Sequence, residues 1–311
     1  MMEIFLLIVG GLALLTLGAE LLVRGSSKLA LHLKVPGLVV GLTVVAFGTS
    51  APELVVSISS NLRGLGDIAV GNVVGSNLFN LALILGLAAV IRPVKVSLKI
   101  LRIDMPILAG LTVLVPVLLL DNLVNRLEGA VLFCGIVAYT AFTVFFGRKE
   151  AERFRSVTSG EGAKGSLVLQ IFFILAGLGA LVVGSRLLID GSVNLAERFQ
   201  ISEAIVGLTI VAAGTSLPEL ATSLVAVVRK QEDIAVGNVL GSNIFNILAI
   251  LGLTGWISPI HVHNINRVDL GAMILVTLLL LPLIRTGFRI TRVEGAALLM
   301  LYGCYLYYLL S

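Results

Sequence analysis

The chain has 311 residues, 58% of them hydrophobic and only 13% charged, with a mean hydropathy of +1.07. That balance excludes a soluble globular domain, in which about 25% of residues are charged. The net charge of +4 does not point to nucleic acid, because the basic residues cluster between apolar runs, where they set membrane topology.

Ten apolar segments follow one another, at roughly 4–23, 36–60, 68–91, 104–120, 128–146, 166–189, 203–228, 234–257, 269–285 and 293–310. A helix of about 20 residues crosses a hydrocarbon layer of about 30 Å. The first segment begins with Glu3 instead of a basic stretch, and Gly18–Ser26 has a counterpart at Gly184–Ser192. It therefore reads as a structural helix and not as a cleaved leader. Glu20 and Arg24, four residues apart near its end, are expected to form an interfacial ion pair, as are Arg186 and Asp190 in the second half; His32 belongs to the same interface.

The second segment contains Gly48-Thr49-Ser50-Ala51-Pro52-Glu53. Proline lacks an N–H and its ring collides with the carbonyl four residues back, so the helix should break and leave carbonyls that need another partner. Thr49 and Ser50 lie four and three residues before Glu53, which puts hydroxyls and carboxylate on one helical face. Carbonyls, hydroxyls and a carboxylate make an all-oxygen set, the chemistry hard cations prefer. The plainer alternative is a kinked helix whose Ser and Thr bond back to their own backbone. A carboxylate just after the proline, present twice in the chain, weighs against it.

The third segment carries Asp67–Asn80, DIAVGNVVGSNLFN. Gly71 and Gly75 permit close helix contact. Ser76 and Asn80 share one face and are candidate ligands, whereas Asn72 and Asn77 are expected to hydrogen-bond neighbouring helices. Cys134 and Cys304 fall within apolar segments and are uninformative about redox compartment. Residues 147–165, charged and rich in small residues, read as a cytoplasmic linker.

After the linker the pattern returns at an offset of 166 residues, which relates Gly18 to Gly184, Glu53 to Glu219, Asp67 to Asp233 and Pro93 to Pro259. Residues 41–57 match 207–223 at 12 of 17 positions, and 67–81 match 233–247 at 12 of 15. The second copy repeats the motif as Gly214-Thr215-Ser216-Leu217-Pro218-Glu219, followed by Ser242 and Asn246. Five segments per half is an odd number, so the second half must enter the membrane from the opposite side. The expected fold is an all-α membrane protein of ten transmembrane helices in two inverted five-helix repeats. Residues 1–146 form the first, with its core at 41–81, and 166–311 the second, with its core at 207–247. With the N-terminus outside, 17 of 22 Lys and Arg fall in cytoplasmic loops, so both termini are expected outside. His261 and His263, in an external loop without acidic or cysteine neighbours, do not suggest a metal site. No base accompanies Ser50 or Ser216, and the two glutamates have near-identical sequence surroundings, which disfavours a membrane enzyme.

The duplicated GTSAPE/GTSLPE and GNVVGSNLFN/GNVLGSNIFN resemble the α-repeats of the cation/Ca2+ antiporter superfamily, in particular prokaryotic Na+/Ca2+ exchangers. The resemblance covers 18–93 and 184–259 strongly. It implies a central site in which Glu53 and Glu219 are the shared Ca2+ and Na+ carboxylates and Thr49 and Thr215 offer backbone carbonyls to Ca2+. Ser50 and Ser216 hydroxyls, Ala46 and Ala212 carbonyls, and Ser76 and Ser242 would serve flanking Na+ sites, with Asn80 and Asn246 completing the ring. Many relatives have aspartate where Asn246 stands, so this chain departs from the K+-dependent pattern. The resemblance thus implies a Na+/Ca2+ antiporter of the prokaryotic inner membrane, with Na+, Ca2+ and lipid as partners and no cofactor; a monomer is the expectation, which the resemblance does not itself supply. The alternatives are a Ca2+/H+ antiporter of the same fold and, less favoured, an intramembrane enzyme.

Overall fold

The computed structural model describes residues 2–155, 166–198, 214–263, 265–285 and 287–310. They form α1 (Met2–Leu33), then α2 (Gly37–Thr49) and α3 (Ala51–Leu62), which meet at a 45° bend. There follow α4 (Gly66–Ile91), α5 (Ile100–Leu118), α6 (Arg126–Arg155) and α7 (Leu167–Arg198). The remaining helices are α8 (Leu217–Val228), α9 (Glu232–Ile257), α10 (Arg267–Arg285) and α11 (Arg292–Leu310). Among the described residues seven helices are long and apolar enough to cross a membrane, and the bent α2–α3 pair makes an eighth; α8 is a shorter apolar helix. Helical backbone continues to Arg155, past the start of the expected linker at 147.

The helices are apolar on all sides, as spans in lipid are, because every backbone polar group must be satisfied within the helix. Phe5, Val131, Phe145, Val168 and Phe172 point outward, a surface suited to acyl chains and not to water. The free thiols Cys134 and Cys304 are also exposed. The most hydrophobic stretch of α9 is wholly buried and that of α4 is 72% buried. These two helices are the centre around which the others pack.

Contacts between the halves are reciprocal under the 166-residue offset. On α1 and α7, Gly11 lies against Gly184 and Gly18 against Gly177, so the two helices run antiparallel with backbones in close approach. Gly86 meets Gly295 and Gly129 meets Gly252 in the same exchanged fashion. Two short antiparallel ribbons obey it too: β1 (Val94–Lys95) pairs with β4 (Arg289–Ile290), and β2 (Leu123–Val124) with β3 (Ile260–His261). Residue i touching j while their partners touch in return is the signature of two-fold self-complementarity. The charges depart from it. Glu20 and Arg24 are paired as expected, whereas Arg186 and Asp190 make no ion pair among the described residues.

The seam between α1 and α7 leaves no room for a side chain. A Cβ on Gly18 would lie 2.8 Å from the Gly177 carbonyl, and one on Gly177 2.7 Å from the Leu22 nitrogen. Gly18→Leu and Gly177→Leu should therefore each lower the melting temperature in detergent and broaden the size-exclusion peak. Gly10→Leu and Gly179→Leu, on the same helices but facing open space, should leave both unchanged. Equal tolerance in all four variants would contradict the packing.

Candidate cation site

The two GTS-Pro-Glu motifs break their helices where the prolines require. α2 stops at Thr49 and α3 starts at Ala51, with Ser50 between them at φ −84°, ψ 7°. Ser216, preceding α8, adopts φ −88°, ψ 8°. Pro52 and Pro218 sit in the first turn of the new helix, where a missing N–H is no loss. Neither can donate to the carbonyl of Gly48 or Gly214. Glu53 and Glu219 fall in the same first turns, at the positive end of the helix dipole, which favours an anion.

The break turns each serine toward the other half. Ser50 Oγ donates to Glu219 Oε1 at 2.8 Å, and Ser216 Oγ donates to Glu53 Oε1 at 2.9 Å. The helical-face spacing grouped Ser50 with Glu53; the structure gives its hydroxyl to Glu219, because Ser50 is the hinge residue itself. Ser216 Oγ also reaches Ser76 Oγ at 3.2 Å, and Ser242 Oγ reaches Glu219 Oε1 at 3.5 Å. Thr215 interacts with the Glu53 carboxyl. Thr49 Oγ1 lies 3.1 Å from both the Asn238 side-chain oxygen and the Val45 carbonyl. The Ala46 carbonyl accepts the Ser50 N–H at 3.0 Å and lies 3.4 Å from Thr49 Oγ1. Ala212 lies outside the described residues. Asn246 Nδ2 donates to Asn77 Oδ1 at 3.0 Å, and neither polar atom of the Asn80 side chain has a partner.

Sequence reasoning missed the braces behind the glutamates. Asn72 Nδ2 donates to the Glu53 carbonyl at 3.1 Å and to Ser57 Oγ at 2.9 Å; Asn238 Nδ2 donates to the Glu219 carbonyl at 3.3 Å and to Ser223 Oγ at 3.0 Å. The helix-to-helix role expected of Asn72 holds, and Ser57 and Ser223 are its partners. The signal for them was present: both stand at the common offset. The other new feature is a wide π-helical turn at Phe79–Ile84 and at Asn246–Leu251, which contain Asn80 and Asn246. Such turns recur at functional sites.

Glu53 and Glu219 are each 1% exposed, and no lysine or arginine among the described residues pairs with either. Glu53 Oε2, Glu219 Oε2, Asn80 Oδ1 and Asn246 Oδ1 accept nothing from the protein. An uncompensated buried carboxylate costs several kcal/mol, on the order of 3–5 when a partner is removed, so each must carry a cation or a proton. No group of three or more His, Cys, Asp or Glu occurs among the described residues. A mixed field of carboxylate, amide and hydroxyl oxygens suits hard cations and not zinc.

The sodium/calcium exchanger protein family profile matches residues 3–146 and 169–311. The chain is 38% identical over 316 residues to the putative antiporter CaxA of Alkalimonas amylolytica, covering 99% of this chain and 98% of that protein. It is 34% identical over 339 residues to the sodium/calcium exchanger MaX1 of Methanosarcina acetivorans, covering 97% of each. Its structure superposes on that of the sodium-calcium exchanger NCX_Mj soaked with zero Na+ and Ca2+, with a TM-score of 0.86, 30% identity and 99% of both chains covered. With its many apolar helices, the protein is an integral, multi-pass membrane protein, a transporter and not an enzyme.

The braces generate a stability prediction. Asn238→Leu strips a donor from the Glu219 carbonyl and from Ser223 inside the protein, which costs about 1–3 kcal/mol. The melting temperature of the purified protein should fall by several degrees, and Asn72→Leu should behave alike. An unchanged melting temperature in both would remove the structural role given to these amides.

Proposed function

The chain belongs to the sodium/calcium exchanger protein family, and from that premise we propose that it exchanges Na+ for Ca2+ by alternating access at a membrane-midplane site built around Glu53 and Glu219. The observation that carries this reading is the pair of wholly buried glutamates, each with one oxygen held by a serine of the other half and one left without a donor. Both oxygens of each glutamate plus the carbonyls of Thr49 and Thr215 supply about six ligands, the low end of what Ca2+ takes. Na+ would occupy flanking positions at Ser50, Ser216, Ser76 and Ser242 with the Ala46 and Ala212 carbonyls, and Asn80 and Asn246 would close the ring. Two negative charges match one Ca2+, or Na+ ions in its place. The same oxygens cannot hold both at once, and that competition enforces exchange.

Alternation needs a rigid part and a moving part. The glycine seam makes α1 and α7 one unit, which would move against the braced helices that carry the site. Five membrane crossings per half, with α8 and the stretch before it as the seventh and α11 as the tenth, would make the repeats inverted, with both termini outside. The antiparallel run of α1 and α7 supports the inversion. The segment 147–165 joins the halves 1–146 and 166–311 on the cytoplasmic side. A single chain holds all the ligands, so a monomer in the prokaryotic inner membrane suffices.

The unpartnered carboxylate oxygens could instead take protons, as in a Ca2+/H+ antiporter. The serine hydroxyls on the other oxygen of each carboxylate, and the carbonyls that the prolines cannot bond, favour Na+, since a proton needs no such cage. Proteoliposomes loaded with Na+ and diluted into Na+-free buffer with radioactive Ca2+ should accumulate Ca2+ at constant pH, and an outward proton gradient without Na+ should drive little. Uptake driven by protons alone and indifferent to internal Na+ would assign the Ca2+/H+ reading.

Glu53→Gln and Glu219→Gln should each abolish this uptake while the protein inserts and purifies normally; flux at the parent rate in either would sink the site. Because Asn246 is neutral, replacing K+ by choline on both sides should leave Na+-driven Ca2+ flux unchanged. A strict K+ requirement would contradict that role for Asn246.

A further inference from the structure

The glycine, ribbon and serine–glutamate contacts between the halves have counterparts at the 166-residue offset, and the charges on α1 and α7 do not. Glu20 of α1 receives Arg229 in a two-pronged bond, Nη2 to Oε1 at 2.7 Å and Nε to Oε2 at 2.8 Å, and also receives Arg24. Arg229 follows the last residue of α8, so this pair ties α1 to the helix that carries Glu219. The offset maps Glu20, Arg24 and Arg229 onto Arg186, Asp190 and Arg63. The same charges therefore recur, with the carboxylate one helical turn further along α7 and the arginine at the end of α3, the helix that carries Glu53. Because α1 and α7 are antiparallel, the two clusters lie at opposite ends of that helix pair. Among the described residues Arg63, Arg186 and Asp190 make no ion pair, and all three are exposed. The backbone has the same asymmetry. α1 packs along α8, whereas α7 has no comparable contact along α3 among the described residues.

We infer that these clusters are alternating ionic gates. Glu20 with Arg229 holds one end of the site closed in the conformation seen here, and Asp190 with Arg63 closes the opposite end when α1 and α7 have moved. The inference rests on the exchange reading above. Its geometry comes from the closed cluster, where Arg24 and Arg229 both bond Glu20 Oε1, so the heads at positions 24 and 229 lie side by side. The equivalent heads at the other end belong to Asp190 and Arg63, which carry opposite charges and would meet directly. Arg186, four residues before Asp190, would take the part of Arg24. A pair made in one state and broken in the other shifts their balance by its own strength. For a partly exposed pair that amounts to about two- to five-fold.

The test replaces Cys134 and Cys304 by serine and introduces Arg63→Cys with Asp190→Cys. A short bifunctional thiosulfonate is applied to the purified transporter, and the 63–190 cross-link is followed by mass spectrometry. The cross-link should form slowly, should block Ca2+ exchange in proteoliposomes, and should form about two- to five-fold faster when Glu20→Gln is added. No cross-link in protein that still exchanges Ca2+, or a rate indifferent to Glu20→Gln, would overturn the gates. If the cross-link forms and accelerates but the uncross-linked protein moves no Ca2+ under any gradient, the gates stand and the exchange reading falls. Should the cysteine pair not fold, Glu20→Gln and Asp190→Asn alone decide. They should shift apparent Ca2+ affinity, measured from one side, in opposite directions, and a shift in the same direction or none refutes the inference.

Discussion

The structure depends on one constraint: two carboxylates buried in an apolar protein cannot be left to themselves. Glu53 and Glu219 are excluded from solvent and have no basic partner among the described residues. The protein supplies each with one serine hydroxyl from the opposite half, so the site exists only when the halves are together. The hydroxyls offset part of the desolvation cost while leaving a charge that a cation or a proton must complete. A site too well satisfied by the protein would have no use for an ion.

That requirement organises the surrounding architecture. The prolines end one helix and start another, which sets each glutamate in a first turn and aims the hinge serine across the interface. Asn72 and Asn238 grip the backbone of the glutamates and tie α3 to α4 and α8 to α9. With this framework fixed by buried hydrogen bonds, the exchange proposed above would leave motion to the pair packed closely at its glycines, α1 with α7. In that reading the close seam would hold the pair together while its bonds to the rest change.

The asymmetry of the charges sits on that framework. A two-fold arrangement with two identical ends would be closed or open at both, and the alternating access proposed above needs one of each. In this conformation the forked Glu20–Arg229 pair belongs to one end, and the equivalent charges at the other are apart. The near-symmetry of the chain makes the departure visible, because the offset names the residues that ought to correspond.

Much of this was legible in the sequence. The offset located both glutamates, the prolines located both breaks, and hydropathy with the spacing of basic residues indicated a membrane protein of repeated halves. These are local properties: a proline breaks a helix through its own ring, and a carboxylate in an apolar run is costly wherever the chain goes. Tertiary structure alone decided the partners. That Ser50 serves Glu219, that Asn246 bonds Asn77, and that Glu20 reaches Arg229 while Asp190 reaches no arginine among the described residues all depend on how distant segments face one another. Spacing along a helix predicts neighbours on one face; it is silent about which face of another helix lies opposite, and that is set only when the halves pack.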